Sequence, residues 1–324
     1  MSKTQLNVLV LAVGSPLGQS ILKALQISKL SINIHVADIN DFAAGFYFSR
    51  VHSVILPSVK DPDYLKKLTN YIQKNKIKAI FPVISAEHIF FFQNAKYFKN
   101  LGVEILSCSE DVFHLCNDKF NSMIQLRKFN LGAPDTELCI NNEKIDKFLI
   151  RNNFPVFLKP RYGASSTNIF KVTSRDQLFS ILKAFSPDYF IIQAFLDDSS
   201  DYTAGVYISK DRKFRSTLLI KRQLKFGLSY SGHIFEDDKL SNYCLKIADK
   251  ISSYYSINVQ FKIIKGTPYT YEINPRLSST TSIRANFGFN EPDMMLHEAK
   301  GLFSNYYLKK RCGRFTRYWE EHYI

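Results

Sequence analysis

Cysteine is scarce in this chain, and what there is does not pair. Five occur in 324 residues: Cys108, Cys116, Cys139, Cys244 and Cys312. The number is odd and no CxxC is formed, so neither a disulfide framework nor a zinc site is indicated. A reducing, cytoplasmic compartment fits best. Long apolar runs are missing too: none reaches the roughly 20 residues of a membrane-spanning helix. The apolar stretch 7–13 is short, ends at Gly14-Ser15-Pro16 and lacks the small-residue cleavage site of a signal peptide. No Gly-Lys-Ser/Thr P-loop, RNP motif, zinc-finger spacing, polybasic tail, internal repeat or low-complexity segment is found. The seven histidines are scattered, and they suggest no Ser/His/Asp or Cys/His constellation.

What is present is an ordinary globular composition, 45% hydrophobic and 22% charged, with a formal net charge of +14. Such an excess attracts nucleic acid, anionic membrane or acidic small molecules. The basic clusters at 74–78, 221–225 and 309–317 stand apart from any recognition motif, and a Lys-rich background explains the charge as well. The expectation is therefore no nucleic acid and no membrane span. A chain of this length buries most of its unfolded surface and divides into more than one domain.

The first third alternates strand and helix. Val8-Leu9-Val10-Leu11-Ala12-Val13 is a continuous apolar run, as in a strand buried on both faces of a parallel sheet. Strands are expected again at 32–37, 53–56 and 79–82, with helices at 19–27 and 63–75. These intervals predict a doubly wound parallel α/β domain to about residue 112. The turn Gly14-Ser15-Pro16-Leu17-Gly18, followed by Asp38, is an incomplete dinucleotide fingerprint: its glycine spacing is wrong and Pro16 interrupts it. A helical segment is expected over 111–131. Strands follow at 154–160, 169–172, 189–195, 202–208 and 214–222. The small-residue loop between the first two joins them as an antiparallel pair.

The residues richest in chemistry lie near the C-terminus: Val259-Gln260-Phe261, then Glu272-Ile273-Asn274-Pro275-Arg276-Leu277-Ser278. Gln260, Glu272 and Asn274 supply oxygen donors of the kind Mg²⁺ takes. On an extended strand Glu272 and Asn274 share a face, with Arg276 in the same parity. Metal-bound phosphate chemistry and a polar strand end with a surface ion pair both fit these few residues. Lys159, followed by Gly163, Ala164, Ser165 and Ser166, offers a cation and a close-approach backbone to a phosphate. Taken alone, a hairpin loop of small residues is more often just a mobile turn.

The order of these segments, with Asn117-Asp118-Lys119-Phe120 and Ile191-Ile192-Gln193-Ala194-Phe195 before Asp201-Tyr202-Thr203, resembles the ATP-grasp superfamily. The branch is the one similar to half of a carbamoyl-phosphate synthase large subunit. The N-terminal unit with Asp38, Pro82 and Glu87 is similar to the domain preceding the grasp, and Arg317-Tyr318-Trp319 also fits. The resemblance implies an α/β and α+β protein: a pre-ATP-grasp Rossmann-like domain (1–112), a small lid subdomain (113–190) and a C-terminal catalytic subdomain (191–324).

By the same resemblance, Lys119 and Lys159 contact the α- and β-phosphates of ATP, and the loop 163–167 closes over the triphosphate. Gln193, Ala194, Phe195 and Leu196 form the adenine hinge, with Asp201 near the ribose hydroxyls. Glu272 bridges two Mg²⁺ ions (Mn²⁺ is the alternative), helped by Gln260 and Asn274. Arg276 stabilises the transferred phosphoryl group or the acyl phosphate. Arg222 faces the acceptor or a phosphate, or is a solvated strand end; Arg284 is a candidate for a substrate carboxylate. Three positions depart from the family pattern. Gln193 stands where an acid is usual, Asp201 is shorter than the commoner Glu, and Lys119 replaces Arg. The implied activity is an ATP-dependent carboxylate–amine ligase acting through an acyl phosphate on small-molecule acid and amine substrates, with a homodimer the commonest assembly for such enzymes. The alternatives are phosphorylation of bicarbonate and a non-catalytic nucleotide-binding module. No biotin-carrier or amidotransferase segment is evident, which ranks the bicarbonate reading lower.

Overall fold

A computed structural model describes residues 5–163, 167–197, 200–303 and 306–323. The apolar run near the N-terminus forms β1 (Leu6–Val10) of a five-stranded parallel sheet. Its partners are β2 (Ile32–Asp38), β3 (Val51–Ile55), β4 (Ala79–Phe81) and β5 (Glu104–Ile105), in the order β3-β2-β1-β4-β5. Helices α1 (Pro16–Gln26), α2 (Tyr64–Lys74), α3 (Ser85–Gln93) and α4 (Ala95–Asn100) connect them. The order reverses between β1 and β4, the switch point at which open α/β sheets form their ligand crevice. Helix α1 starts earlier than expected because Ser15 caps it, its Oγ accepting from the Gly18 amide at 3.0 Å, and Pro16 takes the first position. Gly18 is needed for packing: a Cβ there would sit 2.4 Å from the Ala12 carbonyl oxygen.

The expected single helix over 111–131 is two, α5 (Glu110–Asn117) and α6 (Lys119–Lys128), broken at Asp118, which caps the second. Next comes a four-stranded antiparallel unit: β6 (Thr136–Leu138), α7 (Asn142–Arg151), β7 (Val156–Pro160), β8 (Phe170–Val172), α8 (Arg175–Leu182) and β9 (Phe190–Ala194), in strand order β6-β9-β7-β8. It has its own apolar core around Phe148, Leu158, Leu178 and Phe190. The domain limits differ from the expected ones here. Ile191, Ile192 and Gln193 pair with β6 and β7, so this unit runs past residue 190, whereas α5 and α6 pack on the core of the following sheet.

That sheet has six antiparallel strands in the order β14-β13-β10-β11-β12-β15. They are β10 (Asp201–Ile208), β11 (Arg215–Lys225), β12 (Leu228–Phe235), β13 (Tyr255–Ile264), β14 (Thr267–Asn274) and β15 (Gly313–Thr316), with α9 (Asp238–Lys250), α10 (Thr281–Asn286) and α11 (Glu291–Ala299). One face buries α9 with α5 and α6. The N-terminal sheet and this sheet share a core, Val10, Ile21 and Leu25 meeting Tyr207, Phe289 and Met294. Hydrogen bonds across that junction run from Ser20 Oγ to the Ser279 carbonyl (2.9 Å) and from Asn290 Nδ2 to the Ala24 carbonyl (2.8 Å).

Candidate active site

Strand parity builds one wall of the site. Asn258 and Gln260 of β13 pair with Asn274 and Glu272 of β14, and these four line, with Lys262 further along β13, one cavity of about 730 Å³. The pairing slips after Gln260↔Glu272, because Phe261 pairs with Thr270. Tyr271 is therefore the extra residue of a β-bulge, and the bulge turns its ring into the cavity beside Glu272. The opposite wall is β7 and β9, whose Phe157, Lys159 and Gln193 share a face. Lys119 enters from α6. The cavity continues to Ser15, Pro16 and Leu17 at the start of α1 and to Val83, Ile84 and Ser85 after β4, which flank the switch point of the N-terminal sheet.

Basic groups dominate this space. Lys159 is buried, and its Nζ donates to Gln193 Oε1 at 2.6 Å. Burial pushes its pKa down to about 8, the nearby Glu272 carboxylate opposing the shift. The Lys119 ammonium donates to the Gly163 carbonyl at 2.6 Å, and burial lowers its pKa, Glu272 again opposing. Arg276 donates to the Leu277 carbonyl at 3.0 Å, and its pKa too is lowered by burial. Among the described residues the Glu272 carboxylate and the Asn274 amide side chain have no hydrogen-bond or ion-pair partner. They are donors set among cations and still unspent.

Several expected residues have partners within the protein. Gln193, expected with Ala194, Phe195 and Leu196 in the adenine hinge, has its side chain buried between Lys159 and Thr136, to which Nε2 donates at 3.2 Å. Gln193, Ala194 and Leu196 all line the cavity, while the Phe195 ring packs on Phe157 and Lys171. Asp201, expected at the ribose, accepts from Arg222 Nε at 2.7 Å and from the Tyr271 hydroxyl at 2.9 Å. Gln260, expected on a metal, accepts from Arg222 Nη2 at 2.7 Å. Arg222 is thus no solvated strand end. It also donates to Ser229 (3.1 Å) and Tyr271 (3.0 Å), leaving one of its five N–H groups for a ligand. Ala164, Ser165 and Ser166 lie outside the described residues; Gly163 and Thr167 beside them line the cavity.

Arg284 does not line the cavity. It is fully buried in a two-pronged pair with Glu291 (2.7 and 2.8 Å), with Asn258, Ser278 and Thr280 around it. Gly205 makes room for it, since a Cβ there would lie 2.3 Å from Arg284 Nε. Two residues were missed. Asp118 accepts from the Phe120 and Asn121 amides, from Arg161 Nη2 at 2.7 Å and from Tyr162, tying the end of β7 to the start of α6. Its position before a helix start is a readable capping signal. Tyr271 gave none, because a bulge is invisible in strand parity.

The donor set suits a hard cation only in part. Glu272 and Asn274 fit Mg²⁺, which takes one or two protein oxygens and completes its shell with phosphate and water. Gln260 already serves Arg222. Among the described residues no group of three or more His, Cys, Asp or Glu forms a metal cage.

Behind the N-terminal α/β domain, the residues that build this site fall in segments that match family models of ATP-grasp domains. Residues 8–106 match the family described as PylC-like, N-terminal domain. Residues 116–259 match the RimK-like ATP-grasp domain, and residues 206–320 the ATP-grasp in the biosynthetic pathway with Ter operon. Over 274 residues the chain is 24% identical to the carbamoyl phosphate synthase arginine-specific large chain of Geobacillus stearothermophilus, covering 74% of this chain but 26% of that one. The chain thus spans about a quarter of the length of that curated relative.

Two solved structures share the fold. N5-carboxyaminoimidazole ribonucleotide synthetase from Thermus thermophilus superposes with a TM-score of 0.72 at 13% identity, over 94% of this chain and 80% of its own. The biotin carboxylase domain of 2-oxoglutarate carboxylase from Hydrogenobacter thermophilus, solved with MgADP, ADP and bicarbonate, has a TM-score of 0.72 at 14% identity, over 95% and 73%. No helix among the described residues is long and apolar enough to cross a membrane.

Proposed function

We propose that the chain is an ATP- and Mg²⁺-dependent ligase that activates a carboxylate as an acyl phosphate and joins it to an amine. The observation that carries this reading is one cavity in which Lys119, Lys159 and Arg276 surround the unspent oxygens of Glu272 and Asn274. A triphosphate brings the charge that these cations lack a partner for, and phosphoryl transfer needs positioning and neutralisation more than a protein nucleophile. Lys119 and Lys159 meet the α- and β-phosphates. Lys119 then exchanges the Gly163 carbonyl for phosphate, which couples the loop that Gly163 begins to nucleotide entry.

A carboxylate oxygen attacks the γ-phosphorus, the bond from that phosphorus to the β,γ-bridging oxygen breaks, and ADP departs. The amine then attacks the acyl carbon, phosphate leaves, and the ammonium proton passes to water. Arg276 faces the charge that develops on the transferred group. Glu272 and Asn274 hold Mg²⁺, which neutralises phosphate charge when bound. Arg222 and Asp201 serve as a fixed wall. The acid and amine enter from the side of Ser15 and Ser85, where the cavity reaches the switch point. Substrates are small molecules, and a homodimer is the expected assembly.

A screen of acid and amine pairs with Mg·ATP tests this: ADP should appear only when both partners are supplied. A folded protein that binds no Mg·ATP would falsify the reading. Bicarbonate as the acid is a second reading, favoured by the likeness to a carbamoyl phosphate synthase and a biotin carboxylase domain. ADP release that needs bicarbonate and no other acid would select it.

A further inference from the structure

Tyr271 is the one aromatic ring that the bulge in β14 adds to the cavity wall, and its hydroxyl is clamped. It donates to Asp201, at 2.9 Å from each carboxylate oxygen, and accepts from Arg222 Nη2 at 3.0 Å. Asp201 and Arg222 are themselves paired at 2.7 Å, so the phenol end is fixed from two sides. The ring then presents its face to the Lys159 ammonium, whose Nζ lies 4.9 Å from the ring centre. Phe157 presents a second ring at 5.4 Å, and Gln193 Oε1 takes one ammonium proton at 2.6 Å. A cation this buried has lost its water, and aromatic faces within about 6 Å replace part of that solvation. Two rings and one amide fix a long, flexible side chain while leaving N–H groups for a ligand. A residue that merely filled space would need no charged clamp on its hydroxyl.

We propose that Tyr271 is a positioning residue of the nucleotide site: its clamped ring, with Phe157, holds the Lys159 ammonium where a diphosphate enters. The inference rests on the nucleotide reading above. It predicts an effect on ligands that carry phosphate and none on the base and sugar. The test measures ADP affinity by calorimetry and adenosine affinity by ligand-detected NMR, on the full chain and on Tyr271→Leu, Tyr271→Met and Tyr271→Phe. The Leu and Met variants should weaken ADP about ten-fold and leave adenosine within about two-fold. Tyr271→Phe keeps the ring and should hold ADP within about three-fold. Thermal unfolding identifies any variant that fails to fold, and the Met variant stands in if the Leu variant does. Unchanged ADP affinity in a folded Leu or Met variant, or equal losses for ADP and adenosine, overturns the proposal. If the unmutated chain binds no ADP, the nucleotide reading itself fails; if it binds ADP regardless of residue 271, only the role of Tyr271 does.

Discussion

At the scale of single residues, the site trades on buried charge. The Lys159 pKa stands at about 8 because burial penalises the ammonium. An unfolded Lys titrates near 10.4, so between about pH 8 and that value the unfolded chain holds more protons, and this residue's contribution to stability rises with pH across that window. Affinity runs the other way. The free site loses its ammonium as pH rises through about 8, so ADP should bind more weakly above it, and Lys159→Met should flatten that limb of a calorimetric pH series. A limb unchanged in that variant assigns the titration elsewhere. Arg284 and Glu291 make a different case, since neither touches the cavity. Arg284→Ala strands a buried carboxylate and should cost about 3–5 kcal/mol in urea unfolding.

Among the elements, strands and their parity were legible and irregularities were not. The apolar runs announced four of the five strands of the N-terminal sheet to within a few residues and missed only the two-residue β5, while the Glu272–Asn274 spacing placed both side chains in one cavity. The bulge that adds Tyr271 and the buried pairs that occupy Gln193, Asp201 and Gln260 depend on partners distant in sequence, so no local pattern announces them. The break at Asp118 was readable as a cap but was read through. Asp118→Ala removes that cap and the Arg161 tie together. It should destabilise the protein by about 1–2 kcal/mol and loosen the end of β7, seen as faster amide exchange at Lys159, Arg161, Tyr162 and Gly163. Exchange confined to α6 would show that the tie to Arg161 holds nothing.

For the whole molecule, the N-terminal sheet and the six-stranded sheet share one core, while the four-stranded unit between them keeps its own. Separately produced residues 1–112 should therefore bind a hydrophobic dye and associate, because α1 loses its cover of α10 and α11; a monomeric, dye-free fragment would contradict this shared core. The four-stranded unit should exchange its amides faster than either sheet and be slowed by ADP. If the cavity between these units spends ATP through Glu272, turnover must depend on that carboxylate. With Mg·ATP and a productive acid and amine pair, ADP and phosphate should be released in equal amounts, and Glu272→Gln should cut that rate at least about 100-fold while leaving the fold intact. Undiminished turnover in folded Glu272→Gln would show that the carboxylate plays no part in the reaction.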